Sequence, residues 1–207
     1  MSAGTEGGST SEARARLLDT ATRIFYAEGI HSVGVDRIIA EAQVTRATLY
    51  RHFRGKEELI LSYLHQADRG IRGQVAAVRA QGLPAADAVR AVSRSIAEGI
   101  RSAGFRGCAF LNAAAEYPDP AHPVHRAVLA HRQWFLETAI QLLEDAGCAP
   151  ADAAGRHFVM LRDGAMAAGC LSDPAPVCET FLHGVEGILR TGASASPEPD
   201  TPVTLPT

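Results

Sequence analysis

At 207 residues, with 46% hydrophobic and 21% charged side chains, the chain has the composition of a globular protein with room for one large domain or two small ones. A net charge of −3 and a pI near 6.2 exclude a generally basic polyanion binder, so any nucleic-acid surface must be a local cluster. No stretch stays apolar for the length of a membrane span, and the opening MSAGTEGGST lacks the apolar run of a secretion signal, so a cytoplasmic protein is expected, with no membrane partner.

Glycine and proline fall between long segments of helical period, and alternating β-branched runs are missing, so the prediction is an all-α fold of about nine helices. Residues 1–10 are expected to be disordered. A first helix over 11–28 carries Leu17, Leu18, Ala21, Ile24 and Phe25 on one stripe, and Gly29 stops it. Val35, Ile38, Ile39 and Ala42 repeat the pattern in a much shorter helix. A third short helix follows, then a long one over 56–81. Pro84 can open a helix over 85–102, and a short one is expected over 106–117. The prolines of YPDPAHP interrupt the period before helices over 123–146, 151–171 and 174–191. The tail 192–207, rich in Pro, Ser and Thr, is expected to be disordered.

The segment VTRATLYRHFRGKEEL, residues 44–59, holds Arg46, Arg51, Arg54 and the chain's only lysine, Lys56, with no acid before Glu57. Two short amphipathic helices joined by a turn around AQVT have the spacing of a helix-turn-helix. Thr45 is suited to cap the second helix, whose roughly eight residues span about 12 Å, comparable with the width of a major groove. Leu49 and Phe53 point inward toward Ile38 and Ile39, while Ala47, Thr48, Tyr50 and Arg51 point away. Ala47 permits close approach to base edges, Thr48 offers a hydroxyl and a methyl, and Arg46 or Arg51 suits guanine or phosphate. Tyr50 and His52 suit phosphate oxygens. A cation in a helix's first turn opposes the macrodipole, so Lys56 makes sense as a phosphate clamp, with Gly55 supplying the turn before it. Arg54 receives no role.

These residues resemble the DNA-binding region of the TetR family of bacterial transcriptional regulators, along RLLDTATRIFYAEGIHSVGVDRIIAEAQVTRATLYRHFRGKEELI, residues 16–60. The resemblance implies DNA contact at Thr45, Arg46, Thr48, Tyr50, Arg51, His52 and Lys56, and packing of a three-helix module by Val35, Ile38, Leu49 and Phe53. It divides the chain into a helix-turn-helix domain over 11–55 and a ligand-binding and dimerisation domain over 56–191. Gln43 stands where the family usually has a turn glycine, and Gly34 where a Thr or Ser commonly caps the second helix. The segment RGCAFLNAAAEYPDPAHPVHR, residues 106–126, looks like a variant of the effector domain in actinobacterial members.

The resemblance further implies a ligand-responsive regulator, a repressor in the first reading, that binds a palindromic operator as a homodimer and answers to an unidentified small molecule. Candidate pocket residues are Phe105, Phe110, Asn112, Glu116, Trp134, Phe135 and Met160. The last two helices suit pairing between protomers. Gly155, Gly164, Ala165, Ala168 and Gly169 face Gly184 and Gly187, with apolar surface from Phe158, Met166, Phe181, Leu182, Val185 and Leu189.

No cofactor or metal is expected. His125 and His131 lie six apart, which puts them on different helix faces, and His122 adds no ligand spacing. Cys108, Cys148, Cys170 and Cys178, at intervals of 40, 22 and 8, read as buried thiols, with a redox sensor at Cys108 as the alternative. An enzyme or ligand carrier with an incidental basic segment is the rival reading. It lacks a G-x-S-x-G, a P-loop, an H-E-x-x-H or a recognisable Cys/His pair.

Overall fold

The computed structural model describes residues 6–193, with side chains from 12 to 191, and every regular element among them is a helix. In chain order these are α1 (Glu6–Glu28), α2 (Val35–Glu41), α3 (Arg46–His52), α4 (Lys56–Arg79), α5 (Ala85–Arg101), α6 (Ala109–Glu116), α7 (Pro123–Asp145), α8 (Ala151–Ala168) and α9 (Pro174–Ala193). The start of α1 at Glu6 corrects the expected start at residue 11. Gly7 and Gly8 each disfavour a helix by about 1 kcal/mol relative to alanine, so local propensity pointed the other way. Residues 1–5 of the expected disordered start, and all of the expected tail after Ala193, lie outside the described residues.

Helix boundaries follow local chemistry. Gly29, at φ 89°, takes the left-handed conformation that ends α1, and its N–H donates to the Phe25 carbonyl. Gly34 is the N-cap of α2 and contributes no side-chain bond. His122 caps α7, its Nδ1 accepting from the Val124 N–H at 3.2 Å, with Pro123 in the first turn.

Two apolar clusters fill the interior. One joins Leu17, Ile24, Phe25, Ile38, Leu49 and Phe53 of the first three helices to Leu64 of α4, Phe110 and Ala113 of α6, and Val128 of α7. The three-helix head therefore shares a continuous core with the body. The second cluster sits among α5, α7, α8 and α9, where the rings of Phe135, Phe158 and Phe181 form a row with centroids 6.4 and 6.2 Å apart. Helices α7 and α8 pack tightly at Gly155, where an added Cβ would stand 2.5 Å from Ile140 Cγ1 and 3.1 Å from the Ile140 backbone.

Candidate nucleic-acid interface

Thr45 begins α3 with its hydroxyl accepting from the Thr48 N–H at 3.1 Å, and the two threonine hydroxyls lie 2.8 Å apart. Leu49 and Phe53 are buried against Ile38, which fixes the rotation of the helix and leaves Arg46, Ala47, Tyr50 and Arg51 exposed. Tyr50 keeps 50% of its surface in solvent, a large aromatic with no protein surface to cover it. The turn before α3 passes through Gln43 at φ 52°, the one non-glycine residue with positive φ among those described.

Each cation has a distinct environment. Arg46 pairs with Asp36 of α2, an exposed contact that a phosphate can replace at little cost. Arg51 is exposed with no ion pair among the described residues. His52 is half-buried, and its Nε2 has no hydrogen-bond partner. That atom is buried, while the His52 side chain borders a concavity of about 420 Å³ lined also by Arg16, Thr45, Thr48 and Arg51, with no carboxylate in its lining. Arg16, from α1, is absent from the sequence reading; nothing local in the sequence signals that α1 passes beside the start of α3.

Lys56 is not a free clamp. Its Nζ lies 3.5 Å from the His31 carbonyl, and burial pulls its pKa below the usual lysine value against the opposing charge of Glu116. Gly55 is extended, at φ 167°, so the expected special turn there needs no glycine. Arg54 has a backbone role, its N–H donating to the Glu58 carboxylate at 2.7 Å over the first turn of α4.

The expected pocket residues separate into three places. Phe105, Asn112 and Glu116 line one cleft of about 600 Å³, between the end of α1, the loop before α6, α6 itself and the end of α8. Phe110 is instead buried, stacked on the His131 ring with centroids 3.6 Å apart. Phe135 belongs to the core row, and Trp134 lies half-buried under the Arg72 guanidinium, 4.1 Å from its ring centroid. Met160 is 73% exposed on the outer face of α8 and α9, so it is no part of an internal pocket.

The residues expected at a protomer interface are likewise divided. Phe158, Ala165, Phe181, Val185 and Leu189 are buried inside the chain, spent on its own core. Met166 lines the cleft, and an added Cβ on Gly169 would stand 2.6 Å from Ile100 Cγ2, so both face inward. Gly184 packs against Leu161 of the same chain. Leu182 is half-buried. The outward face of the helix pair is carried by Met160, Gly164, Ala168, Pro176, Val177 and Thr180. A helical wheel marks both sides of such a helix as apolar or small, and cannot say which side the chain covers.

The histidines serve local structure. His125 Nδ1 lies 2.6 Å from the Tyr117 carbonyl, and buried His131 shares a 2.7 Å hydrogen bond with Asp68. Three cysteines are buried as expected, but Cys170 is exposed, because α8 ends just before it.

The profile described as bacterial regulatory proteins, tetR family, matches residues 17–63. The crystal structure of SCO4454, a TetR-family transcriptional regulator from Streptomyces coelicolor, is 75% identical, with a TM-score of 0.87 over 89% of this chain and 97% of that one. The chain belongs to the TetR family of transcriptional regulators. A TetR-family regulator from Agrobacterium tumefaciens shares the fold at 21% identity and a TM-score of 0.77, covering 86% of this chain and 98% of that one. Among curated TetR-type relatives, SrpR of Pseudomonas putida is 40% identical over 53 residues, and LmrA of Bacillus subtilis 33% identical over 69. Those two matches span 26% and 33% of this chain and only 25% and 37% of the relatives' own lengths. TetR-family members are DNA-binding transcription regulators and not enzymes. No helix among the described residues is long and apolar enough to cross a membrane.

Proposed function

We propose that this TetR-family regulator is a cytoplasmic, ligand-responsive repressor that binds a palindromic operator as a homodimer. The observation that carries the reading is the exposed face of α3: Ala47, Tyr50 and Arg51 are exposed beside half-buried Thr48, and they are flanked by a concavity with no carboxylate in its lining, where Arg16 and Arg51 suit a backbone phosphate. In this reading Arg46 and Arg51 reach guanine edges or phosphates, Thr45, Tyr50 and His52 hold the backbone, and Lys56 adds a phosphate contact from the start of α4. Residues 11–55 act as the reading head and residues 56–191 as the effector and dimerisation body. The outer face of α8 and α9, with Met160 exposed beside small residues, supports pairing of two copies about a two-fold axis, which matches a palindrome. An effector that binds the two spacings of the heads unequally shifts the population between them.

Operator affinity measured against salt tests the reading. Three phosphate contacts per protomer give about six per dimer, and log K then falls with log salt at a slope near −5. A slope near zero, or equal affinity for every duplex sequence, overturns it.

A further inference from the structure

We propose that the cleft between α1 and α6 is a binding site for a small amphipathic organic anion, and that its occupant loosens the reading head from the body. The inference rests on the ligand-response reading and places that response at one site.

The cleft, about 600 Å³, has a volume suited to a small ligand. Its walls are mainly apolar, with Phe25 on one side, Leu111 and Met166 on the other, and Phe105 at one end. At the rim Leu171 is 86% exposed, an apolar side chain that a bound hydrocarbon would cover. Charge selects the class of ligand. Of the charged groups lining the cleft, Glu28 is held by Arg37, and both Glu116 oxygens accept from backbone N–H groups. Arg106 is the lining cation, exposed and without an ion pair among the described residues. Asn112 donates its Nδ2 to the Arg106 carbonyl at 2.9 Å and leaves its Oδ1 open to a donor. The unspent charge is thus one guanidinium beside an apolar trough. That set fits a carboxylate or sulfonate on a hydrocarbon or aromatic body.

The same cleft is bounded by hydrogen bonds that tie head to body. Tyr26 of α1 donates its hydroxyl to the Gly107 carbonyl and accepts from the Arg106 N–H, both at 2.9 Å. Glu116, at the end of α6, accepts from the N–H groups of Ile30 and His31 in the turn after α1. A ligand that binds better to a widened cleft favours the state in which these ties are broken, and the head's orientation on the shared core is then less fixed. By linkage, DNA that requires the tied state weakens anion binding by the same factor.

Isothermal titration of the full chain with sodium decanoate tests the proposal, with decyltrimethylammonium as the probe of opposite charge. Saturable decanoate binding at a single site per chain is expected, with no matching binding of the cation. Arg106→Glu, at an exposed side chain with no ion pair among the described residues, lowers decanoate affinity by about tenfold or more. Ala115→Trp, which fills the exposed wall of the cleft, abolishes it, while Arg79→Glu at the exposed end of α4 leaves it unchanged. With decanoate bound, the amides of Ile30 and His31 exchange hydrogen faster. No saturable binding, equal binding of the cation, binding lost only in Arg79→Glu, or unchanged exchange at both amides overturns the proposal. A different compound that raises the melting temperature of the Ala115→Trp protein and weakens its operator binding leaves the ligand-response reading standing and removes the cleft from it.

Discussion

Glu116 accepts a hydrogen bond from the backbone N–H of Ile30 at 2.8 Å, across 86 positions of sequence, and so satisfies a donor in a turn whose apolar side chain is buried. His31 N–H is held by the same carboxylate. Removing the acceptor leaves a part-buried donor unpaired, a loss of about 1 kcal/mol. Glu116→Ala is therefore expected to lower unfolding free energy by about that amount, and Glu116→Gln, which keeps one acceptor oxygen, by less. Urea denaturation of both variants measures the difference; equal stability of Glu116→Ala and wild type would remove Glu116 as the tie.

Gln43 sets a second expectation. At φ 52° a side chain with Cβ pays for a left-handed backbone, about 1 kcal/mol or more, whereas glycine occupies it freely but loses more chain entropy on folding. Gln43→Gly should stabilise by up to about 1 kcal/mol, and Gln43→Val, β-branched, should destabilise by about 1–2 kcal/mol. Denaturation midpoints of the two variants should move in opposite directions. A shift in the same direction contradicts a strained turn.

Much of the head was legible because its signals are local. The spacing of Ile38, Leu49 and Phe53 gave the buried side of α2 and α3 and Thr45 gave the cap, while Gln43 was marked only by the family resemblance, which puts a turn glycine where the structure has φ 52°. The body was legible as helices and less so as sites. Phe110, Phe135 and Met160 carry the same apolar signature, yet one stacks on His131, one fills the core row and one faces solvent. Which neighbour covers an apolar residue depends on contacts far apart in sequence, as do the placements of Arg16 beside His52 and of Glu116 beside Ile30. Phe158, Phe181, Val185 and Leu189 fail as interface residues for that reason: core and interface stripes have the same period.

His131 gives the fold a pH dependence. It is 3% exposed, stacked on Phe110 and bonded to Asp68. Burial holds its pKa below the ordinary histidine value, against the pull of the Asp68 carboxylate. Burial pushes Asp68 up, but its bonds to His131 and Arg72 outweigh that and leave it below its ordinary value. A neutral imidazole thus donates Nδ1–H to an ionised carboxylate. Between the lowered folded value and the unfolded value of about 6.5 the unfolded chain binds more protons, so stability falls as pH drops through that window. The melting temperature should decline from pH 7 toward about pH 5.5, and His131→Gln, which keeps a donor without titrating, should flatten that decline. An unchanged slope in the variant would assign the dependence to other histidines.

Two glycines in helices should respond oppositely to the same substitution. Gly155→Ala drives a methyl into Ile140, including its backbone, and should cost about 1–3 kcal/mol. Gly73, in α4, has nothing within 4 Å of an added Cβ, so Gly73→Ala should gain about 0.5–1 kcal/mol from helix propensity. Thermal denaturation of the pair checks whether α7 and α8 touch through Gly155; stabilisation by both substitutions would show that they do not.

The operator contacts divide by what their loss changes. Arg16 lines the concavity beside Thr45 and Arg51, and its ion pair with Glu12 is exposed and replaceable, so in the proposed reading it takes a phosphate and not a base. Arg16→Ala should weaken binding to all sequences alike and reduce the steepness of the salt dependence by about 0.9 per protomer, near 1.8 per dimer. Lys56→Ala should do the same. Its loss also frees the His31 carbonyl, so its melting temperature must be followed alongside affinity. Thr48 is half-buried beside exposed Ala47 and Arg51, and Thr48→Ala should relax sequence preference at one position per half-site by about 1–3 kcal/mol. Tyr50→Ala should weaken binding without unfolding the head, because half of that side chain is already in solvent. Titrations of labelled operator at several salt concentrations separate these effects, and retained affinity in both Tyr50→Ala and Lys56→Ala would sink the assignment of the contacts.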